Sequence, residues 1–118
     1  MNKKYDKLFY LKGISGVYQL NINNETYIGS SIDIFNRLIF HGVTLRRNKH
    51  ENKKLQLAYN EHRKIQYRIL KVCEVGLLSS TEQFYVNKYK PVLNNRNKIA
   101  QSGIEYKYSC KMFNLIWE

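Results

Sequence analysis

The alternation of apolar and polar positions is clearest between Gly16 and Gly29. Val17 to Ile22 is a β-branched and aromatic run, Asn23-Asn24 interrupts it, and Glu25 to Gly29 is a second short run. Asn tolerates positive φ, so Asn23-Asn24 can serve as a two-residue hairpin turn. That turn sets Ile22 opposite Glu25, Leu20 opposite Tyr27 and Tyr18 opposite Gly29. Side chains alternate across a strand, so Tyr18, Leu20, Tyr27 and Gly29 share one face, with Tyr18 and Tyr27 as diagonal neighbours. Gly29 opposite Tyr18 leaves open space beside a phenol. Taken alone, the stretch reads as a half-buried hairpin with two core tyrosines.

The rest of the chain supplies helices and one more strand. Before the hairpin, Leu8-Phe9-Tyr10-Leu11 is an apolar run that can pack on a core. After it, Ser30-Ser31-Ile32-Asp33 offers polar caps for a helix that buries Ile34 and Leu38 and ends at Gly42. Arg37 and His41 lie four apart, on one face of that helix. They can grip a phosphate, or be a solvated Arg and a C-terminal His favoured by the helix dipole. Thr44 to Lys54 reads as a basic loop, and Leu55, Ala58 and Tyr59 restore helical spacing. Gln66 to Cys73 reads as a strand buried on both faces, hence central in its sheet. Ser79 to Tyr89 is a third helix stopped before Pro91. Two capping-box registers, Ser79 with Glu82 and Ser80 with Gln83, give Glu82 a purely structural role as one option.

Composition narrows the class. The chain has 118 residues and 43% hydrophobic content, which suits one domain with one core. No apolar run reaches the length of a membrane span, and no signal peptide is expected. Cys73 and Cys110 form no Cys-x-x-Cys pair, so a zinc site is not expected and a reducing, intracellular (cytoplasmic) setting fits. Charge changes the picture more. Twenty Lys and Arg against nine Asp and Glu give a net charge of +11, alongside ten tyrosines. A basic, tyrosine-rich small domain points to nucleic acid, against the plainer reading of a merely basic protein. Arg46, Arg47, Lys49, Lys53 and Lys54 are the candidate track for a phosphate backbone.

Gly16-Val17-Tyr18, Tyr27-Ile28-Gly29, Arg37, His41, Glu82 and Asn94 occur in this order, over elements that read as hairpin, helix, helix, strand, helix. In this the chain resembles the GIY-YIG nuclease family. Phe35-Asn36-Arg37-Leu38 with His41 looks like the family's arginine- and histidine-bearing helix. Glu82-Gln83-Phe84-Tyr85 and Lys90-Pro91-Val92-Leu93-Asn94 look like its glutamate and Pro-to-Asn segments. The likeness covers about residues 14 to 95 and leaves 96 to 118 as an extension of unknown role.

The expected fold is therefore a single α/β domain of the α+β kind over residues 1–118, a small, mostly antiparallel three-stranded sheet flanked by helices. The resemblance implies a metal-dependent DNA endonuclease with Tyr18, Tyr27, Arg37, His41 and Glu82 as catalytic residues. Glu82 would be the ligand of one Mg²⁺ or Mn²⁺ ion, and Gly29 and Asn94 would support the site. A single carboxylate suits one hard cation that keeps waters and takes substrate oxygens. Arg37 is a permanent fork-shaped cation for a phosphate. For the general base, the resemblance implies Tyr18, while His41 is the chemically simpler rival; the residues leave both open. Asn94 fixes the glutamate region or local backbone, or is an ordinary turn residue. DNA is the expected partner, with a second copy or a targeting protein left open because no further DNA-binding domain is visible. The rival functions are a binding module of the same fold without catalysis, and a basic interaction or inhibitor protein.

Overall fold

The structure, a computed structural model, describes residues 3–95. The extension 96–118 and Cys110 lie outside the described residues. A 3₁₀ helix, Lys3–Leu11, precedes the hairpin of β1 (Gly16–Ile22) and β2 (Glu25–Ser31). Then come α1 (Ile34–Arg46), α2 (Lys53–His62), β3 (Gln66–Val72), a 3₁₀ turn (Val75–Leu77) and α3 (Leu78–Tyr89). The sheet has the order β2-β1-β3, with both pairings antiparallel.

The hairpin has the expected register, with Tyr18 opposite Gly29, Leu20 opposite Tyr27 and Ile22 opposite Glu25. Its turn is made by Asn23 and Asn24 at φ 50° and 69°, the two positive values a type I′ turn needs. The apolar alternation then covers the sheet on both sides. On one face Tyr18, Leu20, Ile22 and Tyr27 join Leu38, Ile39, Val43, Leu55 and Tyr59 from α1 and α2 in the main core, with Leu8 and Leu11 from the first 3₁₀ helix. Val17, Ile28 and Leu78 are buried outside that cluster, where α3 lies against β2 and β1.

Three expectations about local structure need correction. β3 is an edge strand among the described residues, not a central one: there it pairs only with β1, and its residues are half-buried or exposed. Tyr67 and Ile69 pack on the core while Arg68, Lys71 and Val72 face solvent, so the apolar Leu70 and Val72 misled the pattern. Secondly, α1 runs through Gly42 to Arg46. A mid-helix glycine costs about 1 kcal/mol, whereas burying each of Val43 and Leu45 contributes roughly 1.5–3 kcal/mol, so the extra turn wins. The basic stretch is consequently split: Arg46 ends α1, Arg47 and Lys49 lie in the loop, and Lys53 and Lys54 open α2. Thirdly, α3 starts at Leu78 with no side-chain cap, so neither capping box forms. Asp33 does cap α1, its carboxylate accepting from the backbone N–H of Asn36.

Gly16 is required by close approach. A Cβ there would collide with the backbone oxygen of Lys71 on β3. One residue further on, β1 pairs Val17 with Lys71 and Tyr18 with Ile69, so Leu70 is the extra residue of a bulge beside Tyr18.

Candidate active site

The hairpin places Tyr18 and Tyr27 on the face that α1 covers, with ring centroids 6.5 Å apart. His41, on the third turn of α1, points its ring between them: its centroid lies 5.6 Å from Tyr18 and 5.4 Å from Tyr27, both near edge-on. The hydroxyl of Tyr18 is 2.6 Å from Nε2 of His41. Both tyrosines and His41 are almost wholly buried. The space expected beside Gly29 is not open. A Cβ on Gly29 would sit 2.6 Å from the Tyr18 oxygen and 3.0 Å from Cε1 of Tyr27, so the glycine lets the phenol lie directly on the strand.

His41 leads on to a residue the sequence did not single out. Its Nδ1 is 2.8 Å from Nε2 of His50, and the two rings lie edge to edge in nearly parallel planes, with centroids 5.0 Å apart and 11° between the planes. His50 is buried, and its Nδ1 accepts a hydrogen bond from the backbone N–H of Asn52 at 3.0 Å. Asn52 is itself fixed on two sides. Its Oδ1 caps α2 by accepting from Leu55 N–H at 3.1 Å, and its Nδ2 donates to Leu93 O at 2.8 Å. The backbone of His50 is held by Gln56, whose Oε1 accepts from its N–H at 2.9 Å.

Glu82 reaches the same strand from the other side. It sits in the second turn of α3, buried, and accepts a hydrogen bond from the hydroxyl of Ser30. Ser30 follows Gly29 on β2, so alternation turns its side chain to the opposite face. The pair Gly29-Ser30 therefore carries Tyr18 on one side and Glu82 on the other. Arg37 lies one turn before His41 on α1; it is buried, with its guanidinium 4.7 Å over the ring of Phe40. The alternatives of a solvated Arg37 and a helix-terminal His41 do not describe what is seen.

Asn94 has a structural place at the sheet edge. Its Oδ1 accepts from Ile28 N–H at 2.8 Å and its Nδ2 donates to Ile28 O at 2.9 Å, which completes the free edge of β2. Leu93 N–H adds a bond to Thr26 O at 3.0 Å. Asn94 thus fixes the backbone next to Gly29. Arg47, Lys49, Lys53 and Lys54 are exposed and Arg46 half-exposed, and they flank the turn that carries His50 and Asn52.

Ser30, His50 and Asn52 complete the site. Asn52 three residues before Leu55 is a legible helix cap; His50, alone in a charged stretch, carries no pattern of its own.

Among solved structures, the chain is similar to the catalytic domain of homing endonuclease I-TevI, at 29% identity and a TM-score of 0.62, over 69% of this chain and 94% of that one. It is similarly close to a glutamate-to-alanine variant of the catalytic domain of intron endonuclease I-TevI, at 29% identity and a TM-score of 0.61, over 65% and 84%. No protein-family model matches the chain, and no curated protein does. The resemblance in the motifs extends to three dimensions: the chain has the α+β fold of the GIY-YIG catalytic domain, a three-stranded antiparallel sheet with three helices. This likeness supports a nuclease of GIY-YIG type in general. No helix among the described residues is long and apolar enough to cross a membrane.

Proposed function

We propose that the chain is a metal-dependent endonuclease that hydrolyses DNA phosphodiester bonds. The observation that carries this reading is the convergence on Gly29-Ser30 of a phenol bonded to a histidine and a buried carboxylate, in a fold whose neighbours are endonuclease catalytic domains.

Phosphodiester hydrolysis needs a positioned water, a base to deprotonate it, and positive charge on the phosphate. Tyr18 is the proposed base, and His41 bears on its oxygen from 2.6 Å. Tyr27, edge-on against His41, is proposed to orient the water or relay a proton. Arg37 supplies permanent positive charge from the turn of α1 before His41. Glu82 is the proposed metal ligand, with Ser30 orienting its carboxylate.

The donor set suits a hard cation. Among the described residues no three His, Cys, Asp or Glu side chains form a metal cluster, and Mg²⁺ characteristically takes one or two carboxylates and fills its shell with waters and phosphate oxygens. When bound, Mg²⁺ or Mn²⁺ would neutralise phosphate charge and stabilise the leaving oxygen. The exposed cations Arg47, Lys49, Lys53 and Lys54, with Arg46, are proposed to hold the DNA backbone. A second copy or a targeting partner protein is proposed as a further partner beside DNA, and the setting is proposed to be intracellular.

The test is incubation of the pure chain with supercoiled plasmid and Mg²⁺ or Mn²⁺, with and without chelator. Nicked or linear DNA that disappears with chelator is expected. Intact plasmid under every divalent ion, with DNA bound in a salt-sensitive way, would leave a binding module of nuclease fold in place of the enzyme.

A further inference from the structure

We propose that the backbone amide of Asn52, acting through His50 and His41, fixes the direction of a hydrogen-bond chain that ends on the phenolic oxygen of Tyr18. His50 and Asn52 are then positioning residues for that phenol. The proposal deepens the nuclease reading and, for its effect on cleavage, rests on it.

The direction follows from the one donor in the chain whose role is not open to choice. A backbone N–H donates and never accepts. Asn52 N–H meets Nδ1 of His50 at 3.0 Å, so that nitrogen carries its lone pair and no proton. A neutral imidazole holds its proton on the other nitrogen. Nε2 of His50 is therefore the N–H, and it donates to Nδ1 of His41 at 2.8 Å. The same step repeats: His41 has its proton on Nε2 and donates to the Tyr18 oxygen at 2.6 Å. Turning either ring over gives no escape. A flipped His50 sets a ring carbon against Asn52 N–H, and a flipped His41 sets carbons against both of its partners.

Asn52 is built to hold this amide still. It is fully buried, its side chain caps α2, and its other end ties to the segment after α3. His50 is clamped by Gln56, which also donates to Leu45 O at 2.9 Å. The two imidazole planes are within 11° of parallel, so the bond between them runs close to the plane of both rings.

The consequence bears on the open question of the base. For Nε2 of His41 to accept a proton from water, the whole chain must reverse, and a backbone amide cannot accept at its far end. His41 thus acts as the fixed donor to the Tyr18 oxygen. A donor aimed at that oxygen favours its charged form, and the phenol's own proton is directed away from His41. Tyr18 is left as the group that exchanges a proton with the substrate side.

The test is nitrogen-edited NMR of the ¹⁵N-labelled full chain at neutral pH, in which ring couplings tell the two imidazole tautomers apart. Both His41 and His50 are expected to carry their proton on Nε2 alone. A proton on Nδ1 of either ring, or on both nitrogens, overturns the proposal. The second arm is His50→Phe, which keeps a flat aromatic ring and removes both nitrogens. His41 should then lose its single tautomer, and turnover at saturating DNA should fall by about 10²-fold or more, as when a catalytic histidine is left in the wrong tautomer, with DNA affinity unchanged. A His41 that keeps the Nε2–H form unaltered in His50→Phe overturns the relay. If the variant does not fold, the wild-type spectra alone decide. A wild-type chain that cuts no DNA counts against the nuclease reading, and the ring spectra still decide the proton direction.

Discussion

The two faces of the sheet hold their polar groups in different ways. On the α1 face Tyr18, His41, His50 and the amide of Asn52 form one continuous chain of hydrogen bonds, closed at one end by backbone. On the α3 face Glu82 is joined to the sheet by a strand hydroxyl, that of Ser30. The first arrangement is proposed to fix where protons sit, and the second to present a carboxylate to a cation. Proton transfer depends on donor and acceptor geometry to fractions of an ångström, so it needs a rigid series of supports. A carboxylate that takes a cation needs an oxygen aimed at the ion and freedom for the cation to complete its shell with water and substrate. The adjacent residues Gly29 and Ser30 turn to opposite faces and let one strand serve both.

That contrast is broken most sharply at Glu82. If the α3 face supplies the cation, Glu82→Gln removes nearly all cleavage while DNA affinity without metal stays similar or rises. Measuring cleavage and metal-free DNA binding on the same folded variant checks this. Full activity would reduce Glu82 to a buried partner of Ser30. A helix-cap role would have cost about 0.5–2 kcal/mol of stability and left cleavage intact, but α3 makes no side-chain cap, which already argues against that explanation.

Arg37 comes next. Arg37→Ala should cut turnover strongly and change the salt slope of binding by about one phosphate contact at most. Replacing Lys53 and Lys54 together should weaken binding and leave turnover at saturation unchanged, since both are exposed at the start of α2. A loss of affinity alone in Arg37→Ala would move Arg37 to the docking surface.

On the α1 face, Tyr18→Phe keeps the ring and removes the oxygen that His41 contacts. Cleavage should fall by ~10²–10⁴-fold, the range of a positioned acid–base group, with folding preserved. Tyr27→Phe should cost less if that residue only orients water, and its ring contact with His41 is kept. If Tyr18→Phe keeps most activity while His41→Ala abolishes it, together with an ascending pH limb near the usual histidine value of about 6.5, the base is His41.

How far these residues could be read from the chain depends on how local their signal is. The hairpin was legible because the Asn-Asn turn and the alternation around it set the register without help from the rest of the fold. Asp33 was legible as a cap for the same reason. β3 was not, because position in a sheet depends on which strands pair, and Leu70 and Val72 look the same in an edge strand as in a central one. The end of α1 was missed because burial of Val43 and Leu45 outweighs a helix-weakening Gly42, which tertiary packing alone decides. The gap supposed beside Gly29 was misjudged for a similar reason: pairing shows that Tyr18 lies opposite, but not that its ring folds down over the glycine. His50 meets His41 across the loop between α1 and α2, and no spacing rule predicts that contact. The sequence thus singled out Tyr18, His41 and Glu82 as candidates, and not His50 and Asn52, which stand behind His41.

A second phenol sharpens the comparison with the smallest expected effect. Tyr67 lies on β3 opposite Leu20, and its hydroxyl meets that of Tyr10 at 3.1 Å. Here the partner is another phenol, not a histidine whose proton is fixed from behind. Burial, then the hydrogen bond to Tyr10, then the repulsion of a second phenolate push the pKa of Tyr67 up from 10.0 to about 12. The folded form holds this proton more tightly than the unfolded chain, so the contribution to stability is fully present below pH 10 and lost as pH rises through about 12. Ultraviolet titration of the folded chain should show a phenol ionising near pH 12 that is absent in Tyr67→Phe. In Tyr10→Phe that midpoint should move down but stay above 10, because burial is the larger cause. Neither change should alter cleavage at neutral pH, where Tyr67 is protonated in every variant that keeps it. A loss of cleavage in Tyr67→Phe would mean that the outer strand shares in the chemistry assigned to Tyr18, and the distinction between the two phenols would fail.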